Sequence, residues 1–390
     1  MLETIPSPSA SLYVHVPFCA QKCSYCAFYS EASSGDLINR YVAALVKELE
    51  FARGAQPPTI FFGGGTPSLL NLRQWEQILA AMQRLGLLPA PEFTIECNPA
   101  TVSADKASLL RDFGVNRVSM GVQSLDEALL DRLGRVHTRD MVFRSFDTLR
   151  QAGFQNINVD LMFAIPGQTM DIWRATLREA IALGSEHLSS YEVIYEEDTP
   201  LFHQLNAREF DVDEDLACDM YEELVESATG AGFQQYEVAN FARHHPEPAT
   251  GNSELPAFAC RHNVNYWRGG SFHGLGPSAT GYLAGVRTKN WSNTQLYCEL
   301  IEKGKPATES REQLPPLARA GETAAFGLRM PAGWGFTEFQ RTTGFDLRQH
   351  WHADMDSLIG RGWAIRSPEN FRLNAQGLRF ADAAAELFLR

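Results

Sequence analysis

Residues 13–28 read YVHVPFCAQKCSYCAF, and three cysteines, Cys19, Cys23 and Cys26, fall within eight residues of it. The β-branched run SLYVHV, from Ser11, reads as a strand that feeds straight into this thiol-bearing loop. Three thiolates on one short loop can ligate three irons of a 4Fe-4S cube and leave the fourth iron without a protein ligand. An open coordination position is what a reactive metal centre needs. A structural zinc would want a fourth ligand nearby. His15, on the strand before the loop, is the available candidate, with a side chain that could point either way. The other four cysteines, Cys97, Cys218, Cys260 and Cys298, are scattered. They read mostly as small buried hydrophobes, and strand alternation turns Cys97 away from its neighbour Glu96.

Outward from this loop the chain alternates short apolar runs with amphipathic helical patterns, which is the signature of repeated βα units. TIFF from Thr59, FTIEC from Phe93, RVSMGV from Arg117, INVDLMF from Ile157 and HLSSYEVI from His187 read as strands, and QYEVANF from Gln235 as another. Between them, 36–51 carries Leu37, Tyr41, Leu45 and Leu49 on one helical face, and a helix starting near Asn71 turns Trp75, Leu79 and Met82 inward. A further helix is capped by Ser103 and stopped by Gly114, and another runs around Leu216, Met220, Leu224 and Ala228. Six or so such units predict an α/β fold, a partial (βα)6 barrel of TIM type with its chemistry at the C-terminal strand ends. An open doubly wound sheet is the alternative that the pattern alone leaves standing. From about 306 no strong strand run appears. WAIRSPENFRLNAQGLRF, from Trp363, looks like a hairpin before a last helix, so 306–390 reads as a small helical, winged-helix-like domain.

The chain has 390 residues, 44 % of them hydrophobic and 21 % charged, with 30 Gly and 20 Pro, which is globular composition and room for two to three domains. The net charge of −13 argues against a bare polyanion as the main partner. No apolar run has the length of a membrane span, and MLETIPSPSASLYV has no signal-peptide pattern, so a cytoplasmic protein is expected. Any membrane association would be peripheral, through a partner.

The cluster loop resembles that of the radical S-adenosylmethionine (SAM) superfamily, within the group related to oxygen-independent coproporphyrinogen III oxidase. The resemblance implies a SAM-binding 4Fe-4S cluster held by Cys19, Cys23 and Cys26, in a barrel spanning 1–245. It continues at successive strand ends. FFGGGTPS places Gly64, Gly65 and Thr66 over the SAM amino acid moiety, where glycines permit close approach and leave amides for polar groups. ECNP offers Glu96 to a cationic group, GVQS offers Gln123, LGRVH offers Arg135 to the SAM carboxylate, and DLMFAIPGQT offers Asp160 to ribose hydroxyls. Tyr13 and Tyr25 match positions beside the cluster and the adenine. Ala164 stands where the family usually has glycine.

Within that group the chain is most similar to the HemW-type heme chaperones. CRHNVNYW matches their H-N-x-x-Y-W motif through His262, Asn263, Tyr266 and Trp267, inside a barrel-closing segment taken as 246–305, and GLGPSATGY also looks like this subgroup. The resemblance implies heme as a ligand, His262 as its iron ligand with Cys260 and His273 as alternatives, and delivery to an apo-hemoprotein acceptor, including membrane-bound respiratory ones. An imidazole ligates heme iron and aromatic rings stack on a porphyrin. The authentic oxidases carry a further cysteine two positions after the third, where this chain has Phe28, and a longer N-terminal arm. No coproporphyrinogen oxidase turnover is therefore expected, although oxidase activity stays as the alternative. A radical SAM enzyme acting on RNA is a third reading. It is disfavoured because the C-terminal region has no Lys after Lys305, so no nucleic-acid partner is expected. The subunit number, a homodimer included, is left open.

Overall fold

The computed structural model describes residues 10–32, 35–244 and 255–389. The chain divides into two compact units, one built from residues up to Leu224 together with Phe272–Glu312, the other from Val225–Ser271 and Gln313–Arg390. This differs from three consecutive segments divided at 245 and 305, because the chain leaves the first unit and returns to it at 272. The start of the segment taken as 246–305 lies outside the described residues.

In the first unit, β1 (Ser11–Val16), β2 (Thr59–Gly64), β3 (Glu92–Cys97), β4 (Arg117–Gln123), β5 (Ile157–Phe163) and β6 (His187–Glu192) lie side by side in sequence order, each parallel to the next. That order contains no reversal, so the doubly wound alternative is excluded. The expected partial (βα)6 barrel is present. Its strands are buried on both sides, and their alternation carries two chemistries. Ile157, Val159 and Leu161 of β5 are fully buried apolar residues, while Asn158 and Asp160 between them join a polar network with Ser119 of β4.

The helices follow the expected punctuation. Tyr41, Leu45 and Leu49 are fully buried, as are Trp75, Leu79 and Met82 on the helix Leu72–Arg84. Asn71 and Gln74 close a reciprocal capping box on that helix. Ser103 caps Ala104–Asp112 by accepting from the Lys106 amide, and Gly114 ends that turn at φ 90°.

Three expectations need correction. QYEVANF is not one strand but the hairpin β7 (Phe233–Glu237) and β8 (Asn240–Arg243) of the second unit. The Glu237 carboxylate accepts from the Ala239 amide and from Asn240 Nδ2, which folds the chain back on itself. The region after 270 supplies strands that composition hid. β9 (Phe272–Leu275) adds parallel to β1, and β10 (Thr280–Leu283), β11 (Val286–Asn290) and β12 (Thr308–Glu312) continue antiparallel. The buried Glu48 carboxylate ties this extension to the first helix, accepting from the Gly276 amide, Asn290 Nδ2 and the Tyr297 hydroxyl. β12 is exposed along its whole length, so it carries no alternating signature. Finally, the last segment of the second unit begins at Gln313 rather than 306, because β12 belongs to the first unit, while the hairpin expected from Trp363 is present and gains a third strand. β13 (Trp334–Gly335) pairs with β15 (Asn370–Leu373), which also pairs with β14 (Ala364–Arg366), around a core of Trp334, Phe339, Trp351, Phe371 and Phe388.

Ala164, where the family resemblance expects glycine, sits just after β5 at φ 55°. This left-handed conformation crowds a Cβ. Ala164→Gly is expected to raise stability by about 0.5–1 kcal/mol, the strain relieved less the glycine entropy cost. Thermal unfolding checks this, and an unchanged or lower midpoint would contradict it.

Candidate cofactor site

The cysteine loop is held at its neck and at its middle. At the neck, the Cys19 amide donates to the Glu31 carbonyl (3.2 Å) and the Glu31 amide to the Pro17 carbonyl (2.8 Å). At the middle, the Ser24 amide donates to Leu133 O and Ser24 O accepts from the Leu201 amide, both at 2.9 Å. These contacts dock the loop on the ends of the helices Glu127–Leu133 and Pro200–Asn206. Cys19, Cys23 and Cys26, all half-buried, line one cavity of about 500 Å³ at the C-terminal ends of the parallel strands.

The donor set fits an iron–sulfur cube. Thr66 Oγ1 approaches Cys19 Sγ at 3.5 Å and Arg135 Nη1 approaches Cys23 Sγ at 3.4 Å, so two thiols already have a donor of the kind that tunes cluster thiolates. Burial raises the Cys26 pKa, and Cys23 and Cys19 add to the effect. Among the described residues no three His, Cys, Asp or Glu side chains converge on a single-ion position. A cube does not need that convergence, because its thiolates bind different irons. The zinc reading also loses its fourth ligand. His15 is buried, with Nδ1 3.0 Å from the Tyr13 hydroxyl and Nε2 2.8 Å from Tyr29 O.

Every residue expected at the SAM site lines this cavity except Tyr13, whose hydroxyl is turned to His15. Tyr25, Gly64, Gly65, Thr66, Glu96, Gln123, Arg135 and Asp160 are brought together from the loop, four strands and the segment after the Glu127–Leu133 helix. The glycine turn works differently from the expectation of free amides. The Gly64 amide donates to Glu96 Oε2 (3.2 Å), the Gly65 amide to Val16 O (2.8 Å) and the Thr66 amide to Phe18 O (2.7 Å). All three amides are engaged within the protein. The glycines are needed for closeness instead. A Cβ on Gly64, at φ 104°, would lie 2.5 Å from the His15 ring, and one on Gly65 2.7 Å from Phe18 O.

Charge is arranged around two half-buried carboxylates, Glu96 and Asp160. Burial, and then the field of Asp160, push the Glu96 pKa up to about 8. Burial also raises Asp160, opposed by hydrogen bonds from Ser119 and Asn158. Arg135 donates to Gly121 O at 2.5 Å, and the next residue but one, His137, bonds Val122 O at 3.1 Å. Consecutive β4 carbonyls thus fix the arginine loop, immediately before Gln123 in a left-handed conformation at φ 65°. Cys97 lines the same cavity as Glu96, contrary to strand alternation, because β3 ends there.

The cavity mouth was not legible in the sequence. Phe28, Val136, Tyr191 and Ile194 all line it and are exposed large hydrophobics, Phe28 at 69 % and Ile194 at 67 %. Exposed apolar side chains gathered at one opening had no motif to announce them.

The expected heme ligands lie apart from this cavity's lining. In the second unit, His262, Asn263, Tyr266 and Trp267 sit on the helix Arg261–Trp267, with Cys260 as its N-cap. His262 is fully buried with Nε2 2.6 Å from the Tyr266 hydroxyl, and Cys260 is fully buried too. Tyr266, Trp267 and Asn263 are half-buried, and Trp267 faces Tyr236. His273 is in the first unit, half-buried on β9, and burial lowers its pKa.

Glu96 has a direct consequence for stability. Its folded pKa of about 8 lies above its ordinary 4.5, so the folded state holds a proton that the unfolded state releases. Stability therefore falls as pH rises from about 4.5 and levels off above about 8. Glu96→Gln removes this dependence, and its stability advantage is expected to grow by on the order of 4 kcal/mol between pH 5 and pH 8.5. Urea unfolding of both proteins across that range tests it; parallel pH profiles would contradict it.

The radical SAM superfamily model matches residues 13–180. Proteins named heme chaperone HemW are similar over nearly the whole chain. That of Bacillus subtilis is 33 % identical over 97 % of this chain and 99 % of its own, and that of Escherichia coli 33 % over 98 % of each. That of Lactococcus lactis is 32 % identical over 97 % of each. Among solved structures, the coproporphyrinogen III oxidase of Escherichia coli has the same fold, with a TM-score of 0.84 at 21 % identity over 99 % of this chain and 92 % of that one. With thiols, glycine turn and carboxylates at successive strand ends, this chain belongs to the HemW family of the radical SAM superfamily.

Proposed function

We propose that the protein binds heme and delivers it to acceptor hemoproteins, and that the cavity of its first unit holds a 4Fe-4S cluster with SAM. The observation that carries this reading is the near-full-length similarity to proteins named heme chaperones. The cavity supports the cofactor part. Cys19, Cys23 and Cys26 would hold the cluster, which when bound supplies an electron and an open iron site. Arg135 would pair with the SAM carboxylate, Asp160 would accept from the ribose, and Tyr25 would lie beside the adenine. Because the glycine-turn amides are engaged, an ammonium group at this turn is met by oxygens, Glu96 foremost. Its binding would displace the Glu96 proton.

For heme, His262 is the proposed iron ligand, with Tyr266 and Trp267 as flanking rings. The His262–Tyr266 hydrogen bond has to open first, and the fully buried imidazole has to be uncovered. His273 needs no such opening and is the second choice. No oxidase turnover is proposed, since Phe28 occupies the position of the oxidases' additional cysteine. The acceptor is proposed to be a hemoprotein, which can be membrane-bound, reached from the cytoplasm. No helix among the described residues is long and apolar enough to cross a membrane.

Heme titration of the anaerobically reconstituted protein tests the reading, with about one heme per chain expected. His262→Ala should lose or shift the heme absorbance and keep the iron–sulfur absorbance. An unchanged spectrum in His262→Ala, with loss in His273→Ala, would move the ligand to β9. No heme binding by the wild type would overturn the chaperone reading.

A further inference from the structure

Beneath the cavity, Asn158 has an amide whose every polar atom is engaged. Its Nδ2 donates to Asp160 Oδ1 and to Ser119 Oγ, both at 2.7 Å, and Ser119 Oγ in turn donates to Asp160 Oδ2 at 2.9 Å. Its Oδ1 lies 2.6 Å from His187 Nδ1 and accepts from Ser189 Oγ at 3.1 Å. Asn158 is 1 % exposed and His187 0 %. Asp160 and Ser119 line the cavity, whereas Asn158, His187 and Ser189 do not.

The direction of these bonds is fixed at both ends. A carboxylate only accepts, so the amide nitrogen must face Asp160. The oxygen must then face the two donors, which requires the proton of His187 on Nδ1. Burial holds His187 well below its usual pKa, so the ring is neutral and a single tautomer is enough. The other charged groups felt here are Arg117 and Glu96. Arg117 lowers Asp160 and His187, and the field of Asp160 raises Glu96. Burial raises the proton affinity of Asp160, while hydrogen bonds from Ser119, Asn158 and, more weakly, Ser189 lower it. A protonated Asp160 would spend one oxygen as a donor and lose its value as an acceptor for hydroxyls.

We infer that Asn158, oriented by His187 and Ser189, is a positioning residue that keeps Asp160 ionised and aimed into the cavity as a hydroxyl acceptor. It acts on the bound ligand only through Asp160. The inference rests on the cavity being the SAM site.

Asn158→Asp is the sharpest variant. It keeps shape and volume, removes the donor and sets a second acid against Asp160. Equilibrium dialysis of SAM with the reconstituted full chain is expected to show binding weakened about tenfold or more, the loss of one charged hydrogen bond. Iron content should not change. The decisive readout is a double-mutant cycle. In an Asp160→Ala background, Asn158→Asp should add less than about twofold, because the group it positions has gone. Asn158→Ala, which removes the donor without adding an acid, should weaken SAM binding in the wild type and not in Asp160→Ala, and it serves if Asn158→Asp does not fold. Additive losses in the cycle would overturn the inference while leaving the SAM site in place. Wild-type protein that retains its cluster but does not bind SAM would overturn the site reading itself.

Discussion

Two half-buried carboxylates facing one cavity are the constraint around which the first unit's site is built. Glu96 and Asp160 come from strands two apart, both on the polar face of a parallel sheet, and the field of Asp160 adds to burial in making Glu96 harder to ionise. Such a pair is costly unless something positive is expected nearby. The surroundings show how the strain is divided. Asp160 accepts from Ser119 and Asn158, which offset part of the burial effect, whereas Glu96 has one backbone amide and a pKa near 8. In the proposed site, Asp160 would accept from hydroxyls and Glu96 would exchange its proton for a cation.

The second constraint is closeness. The thiol loop and the glycine turn are laced together by the amides of Gly65 and Thr66, and the Arg135 segment is fastened to β4 on the opposite wall. These bonds consume the groups that a glycine-rich turn would otherwise offer to an anion. The turn is therefore a brace for the cysteine loop and a carbonyl-bearing wall. The positive φ of Gln123 and the strand end at Cys97 belong to the same design, in which regular pleating stops where the cavity begins.

What was legible in the sequence were features with a strict local period or a fixed chemical spacing. The cysteine triplet, the six strands and the capped helices all depend on neighbours in the chain, so the residues that form them also announce them. The β9–β12 extension was hidden because its strands are short and half-exposed, and because β9 finds its parallel neighbour more than 250 residues away. The hairpin in QYEVANF turns on a side-chain carboxylate, which no β-propensity records. Among the site residues, Tyr13 was matched to the cofactor by position, yet its hydroxyl serves His15. The Asn158 network was missed because Asn158, Ser119 and His187 form no motif; the sheet register alone assembles them.

The second unit carries the HNVNYW helix, closed in this structure by the His262–Tyr266 bond, so the two halves of the proposed function sit on ligands from separate compact units. The proposed function depends first on the three thiols holding the cluster. Iron and acid-labile sulfide analysis after anaerobic reconstitution tests that claim most directly. The wild type should hold about four of each per chain, and replacement of Cys19, Cys23 and Cys26 together by Ala should abolish them. Wild-type iron and sulfide content in the triple variant would contradict it.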